Sequence, residues 1–381
     1  MAQEFDKEQR HELTEFIKAE ARRLGFSLVG VTSPEPPPHL EVYENWLEKG
    51  HHGEMAYLAT DRARHRRANP IEILPECRSI LVLATNYLPR QPTHSGVAAY
   101  AVGDDYHEVL IDRLKQLVSN IETRLGRKIH NRYYTDTGPL MERELAQRAG
   151  LGWIGKNTCL ISPQHGSYFF LAELLLDLPL VPDEPIKTDH CGECTLCIEA
   201  CPTECILPDR TLDATRCISY LTIELKGAVP DELRSSTGDW VFGCDICQQV
   251  CPWNIRFAEP TADLAFQARP YLQDLHPRDF LQLSPEAYRD NLSKSPLKRA
   301  KHAGLLRNAA LAAANSADRS SVPGLVRLLS EGANPIPRAH AAWALGQMGE
   351  VTALRAASET EQDSEVVAEI LSAIEVAQGR S

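Results

Sequence analysis

The stretch "CGECTLCIEACP", residues 191–202, places four cysteines within eleven positions and ends with a proline. Its pattern is C-x2-C-x2-C-x3-C-P. This spacing is typical of proteins that hold two 4Fe–4S clusters, in which the first three thiolates bind one cluster and the fourth binds its neighbour. The stretch therefore requires a second, reciprocal set of cysteines elsewhere in the chain.

That second set is present downstream. The stretch "CDICQQVCP" (244–252) repeats the C-x2-C-x3-C-P ending, and its leading cysteine is displaced upstream to Cys217. One predicted cluster has four cysteine ligands: Cys191, Cys194, Cys197 and Cys251. The other predicted cluster also has four: Cys201, Cys217, Cys244 and Cys247. Cys205 is left over and is interpreted as a non-ligand. Zinc is disfavoured, since zinc ribbons usually keep two C-x2-C pairs well apart.

The bulk composition indicates a soluble protein of more than one domain. A length of 381 residues favours two or three domains. No apolar run is long enough to cross a bilayer, so no membrane partner is expected. The first residues predict an acidic amphipathic helix without the apolar segment of a signal peptide, which favours the cytoplasm.

Cysteine usage agrees with a reducing compartment. The eleven cysteines are an odd number, and a cytoplasmic protein rarely keeps disulfides. Nine of them lie between residues 191 and 251. The other two, Cys77 and Cys159, stand in apolar surroundings and are predicted to be core residues.

We predict an α+β multidomain architecture. Residues 79–88 and 167–180 are apolar runs typical of buried strands, and residues 108–125 have helical periodicity. The N-terminal part is therefore interpreted as an α/β or α+β domain. The predicted division of the chain is an N-terminal α/β domain, a ferredoxin-like double-cluster domain, a connecting segment and a helical domain, at residues 1–180, 181–258, 259–297 and 298–381.

The helical domain contains a repeated pattern. The stretches "LLRNAALAAANS" and "RAHAAWALGQMG" lie about 33 residues apart, and "EVVAEILSAIEVAQ" follows as a third, capping member. This period favours a solenoid of HEAT-like repeats. A plain helical bundle is the alternative.

One glycine motif is misleading. "GLGWIG" (150–155) matches G-x-G-x-x-G, but a helical pattern precedes it and a strand-like stretch follows it, the reverse of a dinucleotide site. Gly150 is therefore interpreted as the end of a helix.

Asp136 has two interpretations. Pro139 suits the first turn of a helix, so Asp136 is either a helix-capping residue or a general acid. A carboxyl group buried at a domain interface can have its pKa raised and carry a proton near neutral pH. Arg143 either orients an anionic or polar group or lies on a solvated helix face.

The chain as a whole resembles the epoxyqueuosine reductase family. The resemblance rests on both cysteine sets and on a series of stretches in the family's order: "GEMAYL" (53–58), "YAVGDDYH" (100–107), "YYTDTGPLMERELAQRAGLGWIGKN" (133–157), "SYLTIELKG" (219–227) and the HEAT-like tail. It implies an enzyme that reduces epoxyqueuosine to queuosine at the wobble position of tRNA anticodons. Two electrons and two protons are consumed, with Asp136 protonating the departing oxygen.

The same resemblance implies cofactors and partners. A base-off cobalamin would lie in the N-terminal domain and receive electrons from the two 4Fe–4S clusters. The implied cobalamin contacts are Tyr57, Tyr100, Asp136, Lys156 and Ser219. An external electron donor is required, and a monomer is expected.

A basic run fits a tRNA partner despite the net charge of −12. The stretch "KSPLKRAKHAGLLR" (294–307) has no acidic residue and five basic ones: Lys294, Lys298, Arg299, Lys301 and Arg307. On a helical repeat they would form a positive face for phosphates, with Lys298, Arg299 and Lys301 as the predicted tRNA contacts. An ordinary solvated helix face is the alternative. A modified anticodon base would have to leave its stack to enter a buried site.

Two other functions fit part of the sequence. A reductive dehalogenase-like corrinoid enzyme would also join a corrinoid domain to two clusters, but the basic tail and missing export signal argue against it. A ferredoxin-like electron carrier would not require an N-terminal domain of about 180 residues.

Overall fold

The computed structural model describes residues 5–379. Its N-terminal part is built on a four-stranded sheet in the order β1-β2-β6-β3, and β4 and β5 form a separate pair. The strands are β1 Leu28–Thr32, β2 Ser79–Asn86, β3 Asn131–Tyr134, β4 Trp153–Ile154, β5 Leu160–Ile161 and β6 Phe169–Leu176. The two predicted strands are β2 and β6.

Every pairing in the four-stranded sheet is antiparallel. The predicted α/β label is therefore wrong for this domain, and the broader α+β label is right. The central strands β2 and β6 are covered on both faces, so their sequences lack the alternation that marks most antiparallel strands. An uninterrupted apolar run does not distinguish the two pairings.

Helices cover both faces of the sheet. The N-terminal helices are α1 Lys7–Arg23, α2 Leu40–Glu48, α3 Asp61–Ala68, α4 Tyr106–Leu125 and α5 Glu142–Arg148. Helices α1 and α4 pack with one face of the sheet around Ile17, Leu114 and Leu174. Helix α5 packs on the other face with Leu145 against Val82 and Leu175. The predicted first helix and the helix at 108–125 are confirmed.

Helix α5 clarifies two predictions about its ends. It begins at Glu142 after Met141, so Pro139 lies before the helix and Asp136 does not cap it. Gly150 follows the helix with φ +78°, and its N–H donates to the Gln147 carbonyl. The interpretation of "GLGWIG" as a helix end is confirmed, because a side chain would strain this left-handed conformation.

The cysteine-rich segment folds into short helices. They are α6 Leu196–Glu199, α7 Ile218–Ile223, α8 Asp231–Arg234, α9 Ile246–Gln249 and α10 Pro252–Phe257. Helices α6 and α9, one from each cysteine run, pack against each other. The two runs are thereby joined into one compact unit.

The segment predicted as a connection contains α11 Pro270–Gln273 and α12 Pro285–Leu292. Its side chains Leu272, Phe280 and Leu292 belong to the same buried cluster as residues of the C-terminal helices. The predicted domain limits stay predictions, and this segment packs as part of the helical layer.

The C-terminal helices form a layered array. They are α13 Lys301–Asn315, α14 Val322–Glu331, α15 Pro335–Gln347, α16 Val351–Ser358 and α17 Ser364–Gly379. The two similar stretches lie in α13 and α15, which pack against each other, and α15 packs in turn against α17. Their HEAT-like character stays a prediction.

Helix α13 is anchored to the cysteine-rich segment by two buried polar side chains. Arg307 is 1% exposed and donates hydrogen bonds to the carbonyls of Leu225 and Gly227. Asn308 Nδ2 donates to the carbonyls of Thr222 (2.8 Å) and Val241 (2.7 Å). Arg307 was predicted to contribute to a positive face, and this is wrong, because its guanidinium satisfies buried backbone carbonyls instead.

Across residues 5–379, no helix combines the length and apolar character needed to span a bilayer.

The anchor predicts a large effect of Asn308→Ala on stability. The substitution would leave two buried carbonyls without a donor, so we expect the free energy of unfolding to fall by roughly 2–4 kcal/mol. Chemical denaturation measures this change. Asn291→Ala is the matched control, because Asn291 donates only to a carbonyl of its own helix. An equal effect of both substitutions would contradict the anchoring role.

Candidate active site

The predicted ligands lie in two groups of thiols. The thiol of Cys197 lies close enough to three others for their charges to raise its pKa: those of Cys191, Cys194 and Cys251. In the same way, the nearby thiols of Cys201 and Cys217 raise the pKa of Cys244. Those of Cys217 and Cys244 raise the pKa of Cys247. The fold therefore brings together the same two fours that the spacing predicts, and their ligand role stays a prediction.

The two groups differ in access to solvent. Cys194 of the first group is exposed. In the second group the Cys201 thiol lies 3.4 Å from the buried Cys205 thiol, and Cys205 also contacts Cys217. The first group therefore has one exposed and one buried cysteine, Cys194 and Cys251, whereas all four of the second group are half-buried.

Cys159 does not have the predicted apolar surroundings. It is half-buried, and its thiol contacts that of Cys247. Cys77 is buried as predicted. Cys159 therefore connects β5 and its loop to the second group of thiols.

The donor set fits iron–sulfur clusters. Eight thiols divide into two fours, and each run ends in Cys-Pro at a helix start or turn. Within the described part of the chain, no three His, Cys, Asp or Glu side chains are close enough together to hold a single metal ion.

A cleft of about 660 Å³ is lined partly by residues of the cysteine-rich segment. We call it the Asp136 cleft. Ala214 and Thr158 line it, and they lie close in sequence to Cys217 and Cys159. Its aromatic lining includes Tyr43, Trp46, Tyr57, Tyr100, Tyr106 and Phe170. Its volume and flat aromatic walls suit a large planar ligand.

Asp136 lies in the loop between β3 and α5. Its backbone is left-handed (φ +59°), and its N–H donates to Glu142 Oε1 at 2.7 Å. Its carboxylate accepts a hydrogen bond from the Tyr106 hydroxyl at 2.9 Å, and His107 Nε2 lies 3.6 Å away. Its side chain is 65% exposed towards the cleft. The loop therefore presents a fixed carboxylate to any bound molecule.

His107 belongs to a longer row of charged groups. Its Nδ1 lies 2.7 Å from Asp105 Oδ1, and Lys298 Nζ lies 2.7 Å from Asp105 Oδ2. Burial acts to lower the pKa of His107, but its hydrogen bond to Asp105 and its ion pair with Asp136 outweigh this and raise the pKa to about 9. At neutral pH the imidazole is therefore protonated.

The predicted raised pKa of Asp136 is wrong. The surrounding cleft walls act to raise it, but the nearby His107 imidazolium and the hydrogen bond from Tyr106 outweigh this and hold the pKa below its ordinary value. Asp136 is thus a carboxylate at neutral pH, and the proton nearest to it belongs to His107.

The predicted cofactor contacts divide into two sets. Tyr57, Tyr100 and Asp136 line the cleft. Lys156 does not line it, and its Nζ donates to the carbonyls of Gly192 (2.7 Å) and Cys194 (3.0 Å). Ser219 lies outside the cleft lining, in α7, two residues after Cys217. Lys156 and Ser219 therefore adjoin the thiol groups instead.

Two of the three side chains predicted to contact tRNA have their positive charge balanced by an acidic neighbour. Lys298 pairs with Asp105, and Arg299 pairs with Glu224 at 2.8 Å. The guanidinium of Arg299 also lies 5.6 Å from the ring centre of Tyr57 in the cleft. Lys301 is exposed. Arg299 and Tyr57 thus form one side of the cleft mouth.

Helix α3 adds positive charge that the sequence analysis overlooked. Its sequence "DRARHRRA" contains four arginines, and Arg67 lines the cleft. Arg62 and Arg66 form no ion pair with any residue in the described range 5–379. The sequence pattern that could have indicated this charge is a group of three arginines within five positions: Arg62, Arg64 and Arg66. His107 was overlooked too, although it ends the stretch "YAVGDDYH".

Arg143 lines the cleft and donates to the Thr158 carbonyl. Because Arg143 is also exposed to solvent, its two interpretations, an orienting group and a residue of a solvated helix face, both stay open.

Two family models match the chain. The model described as "Epoxyqueuosine reductase QueG, DUF1730" matches residues 67–137, which contain His107 and Asp136. The model described as "4Fe-4S double cluster binding domain" matches residues 190–254, which contain both cysteine sets.

Whole-chain comparisons agree with these models. The chain is 42% identical over 304 residues to the epoxyqueuosine reductase of Cyclobacterium marinum, covering 77% of this chain and 95% of the relative. It is 41% identical over 349 residues to that of Pseudomonas aeruginosa, covering 89% and 95%. A crystal structure of epoxyqueuosine reductase with an epoxyqueuosine-modified tRNA stem loop aligns at a TM-score of 0.87 and 31% identity, covering 96% of this chain and 99% of that chain. The chain therefore belongs to the epoxyqueuosine reductase family.

Proposed function

We propose that this protein removes the epoxide oxygen of epoxyqueuosine in a tRNA anticodon loop, and that the reaction takes place in the Asp136 cleft. As a family member, the protein is an oxidoreductase that acts on epoxyqueuosine in tRNA. The observation that carries the proposed site is a single carboxylate held by two proton donors, Tyr106 and His107, at a cleft beside the thiol groups.

The proposed electron route runs through the two thiol groups. The group that contains the exposed Cys194 would hold the entry cluster, and the group beside the cleft would hold the exit cluster. An external donor would supply two electrons for each epoxide, one at a time. Lys156 would steady the entry cluster by holding the carbonyls on both sides of Glu193.

Cobalamin would be bound in the cleft. The aromatic side chains would contact the macrocycle, with Tyr57 and Tyr100 among them. When bound, cobalamin supplies a reduced metal centre for cleaving the carbon–oxygen bond. The protein's own groups hold and orient the nucleoside, exclude water and supply the proton.

The first of the two protons would come from His107 through Asp136, and the second, which releases the oxygen as water, would be taken up from solvent. The imidazolium holds a proton at Nε2, 3.6 Å from the Asp136 carboxylate. As negative charge develops on the departing epoxide oxygen, Asp136 would pass on the proton that it takes from His107. The carboxylate of Asp105 stabilises the charged imidazole and keeps its orientation.

The tRNA would bind across the mouth of the cleft. Tyr57 is 52% exposed and offers a ring for stacking an unpaired base. Arg299 and helix α3 would meet the phosphates on either side, and Lys301 would extend this contact. The modified base would leave its stack to reach the cleft.

We predict that Asp136→Asn stops turnover while leaving the cofactors bound. An amide retains the shape of the side chain but cannot carry the proton, so we expect conversion of epoxyqueuosine to queuosine to fall at least 100-fold. Purified protein with clusters, cobalamin, reductant and modified tRNA is assayed by nucleoside analysis, and the iron and cobalamin absorption spectra are recorded.

Asp112→Asn is the control, because Asp112 is exposed on the same helix as His107 and pairs only with Lys115. Normal turnover in the Asp136 variant would remove this residue from the acid role. Absence of queuosine formation by the wild-type protein would overturn the proposed function itself.

A second prediction concerns helix α3. Arg62 and Arg66 are four residues apart and share one helix face, so replacing both with alanine should remove about two phosphate contacts. We expect weaker binding of the stem loop and a decrease of about two in the slope of log affinity against log salt. Fluorescence anisotropy over a salt series measures both.

The matched control is Arg22→Ala with Arg23→Ala, two exposed arginines at the end of α1 that do not line the cleft. An unchanged affinity and slope in the α3 variant would show that the tRNA does not bind along this helix.

A further inference from the structure

A pair of carboxyl groups lies beneath the Asp136 loop. Glu173 is in the middle of β6, opposite Val82 in the register, and its side chain is 0% exposed. Neither of its carboxyl oxygens meets a hydrogen-bond donor among residues 5–379. A buried acidic side chain without a donor is unusual, because it retains the full cost of leaving water.

Glu142 is the group that Glu173 meets. Glu142 is the first residue of α5, and its carboxyl lies within hydrogen-bonding reach of the Glu173 carboxyl. The Oε1 atom of Glu142 accepts the N–H of Asp136 at 2.7 Å. Glu142 also lines the cleft. Glu142 therefore contacts the buried Glu173 carboxyl on one side and the backbone of the Asp136 loop on the other.

Two ionised carboxylates cannot share this position. Both would be hydrogen-bond acceptors only, and their charges would repel each other in a site without water. One proton between them converts the repulsion into a hydrogen bond and satisfies an oxygen of each. Carboxyl pairs of this kind titrate as a unit.

The surrounding charges favour keeping that proton. Asp136 adds negative charge from the loop, and Arg143, next to Glu142 on α5, opposes it. On β2 and β3, the residues in register with Glu173 are Val82 and Tyr134. Burial and the charge of Asp136 raise the pKa of Glu142, and burial with the charge of Glu142 raises the pKa of Glu173.

We propose that Glu142 and Glu173 share one proton and act as a positioning pair for Asp136. The shared proton holds the Glu142 carboxyl in place, and Glu142 in turn holds the Asp136 N–H and the left-handed backbone of the loop. This inference rests on the proposed function, because Asp136 is the residue that the pair positions. It adds Glu142 and Glu173 to the proposed site as residues that position Asp136 without contacting the reacting atoms.

The first test detects the proton without turnover. Infrared spectra of the full-length protein at pH 7 should contain the carbonyl band of a protonated carboxyl, and this band should shift in heavy water. The band should be lost in Glu173→Gln, where an amide donates to an ionised Glu142. It should persist in Glu144→Gln, a buried carboxyl on the same helix that pairs with His39. Absence of the band in wild type, or its survival in Glu173→Gln, would overturn the proposal even if the enzyme is active.

The second test measures positioning by kinetics. Glu173→Leu removes the partner of Glu142 altogether, so we expect kcat to fall at least tenfold while KM for the stem loop changes less than threefold. Glu173→Gln keeps a hydrogen bond to Glu142 and should restore most of the lost kcat. Equal kcat values for the two variants would overturn the positioning role. If the leucine variant does not fold, the infrared comparison still decides the proposal.

Discussion

The row of ion pairs from Lys298 through Asp105 and His107 to Asp136 is the constraint on which the proposed chemistry depends. Two carboxylates flank one imidazole, and this raises the pKa of His107 to about 9 while the pKa of Asp136 stays below its ordinary value. A proton is thereby held beside the cleft at neutral pH, next to a carboxylate that can pass it on. The same row connects the helical layer to the N-terminal domain, because Lys298 precedes α13 and Asp105 precedes α4.

The layers of the fold meet at the cleft. The antiparallel sheet carries the Asp136 loop at the end of β3, and α5 packs across it with Glu142 towards Glu173. Arg307 and Asn308 hold the segment that contains Cys217 and Cys244 against α13. In the proposed mechanism, electrons and protons would therefore reach one cleft, each from a rigid support.

Much of this organisation could be predicted from local sequence. Spacing alone identified the two thiol groups, since ligand geometry restricts the separation of cysteines along the chain. Apolar runs and helical periodicity identified β2, β6 and α4. Asp136 was also identified, because its loop lies within the stretches that resemble the family.

Other features depend on contacts between distant residues. Antiparallel pairing could not be predicted, because β2 and β6 are apolar on both faces. The direction of the Asp136 pKa shift depends on His107, which is distant in sequence. Arg307 looked like part of a positive face because its carbonyl partners lie about 80 residues away. Whether a side chain is charged or buried depends on the residues that it contacts in the fold as much as on its own type. These contacts cannot be read from the local sequence.

The most direct measurement of the central claim is the single-turnover rate of the cofactor-loaded enzyme as a function of pH, for wild type and for His107→Gln. The folded pKa of His107 lies above its ordinary value of about 6.5, so the charged imidazole is present below pH 9 and is lost above it. The account predicts a wild-type rate that falls as pH rises through about 9, and a slow variant without this fall. A wild-type rate that falls near pH 6.5, or identical profiles for the two proteins, would contradict it.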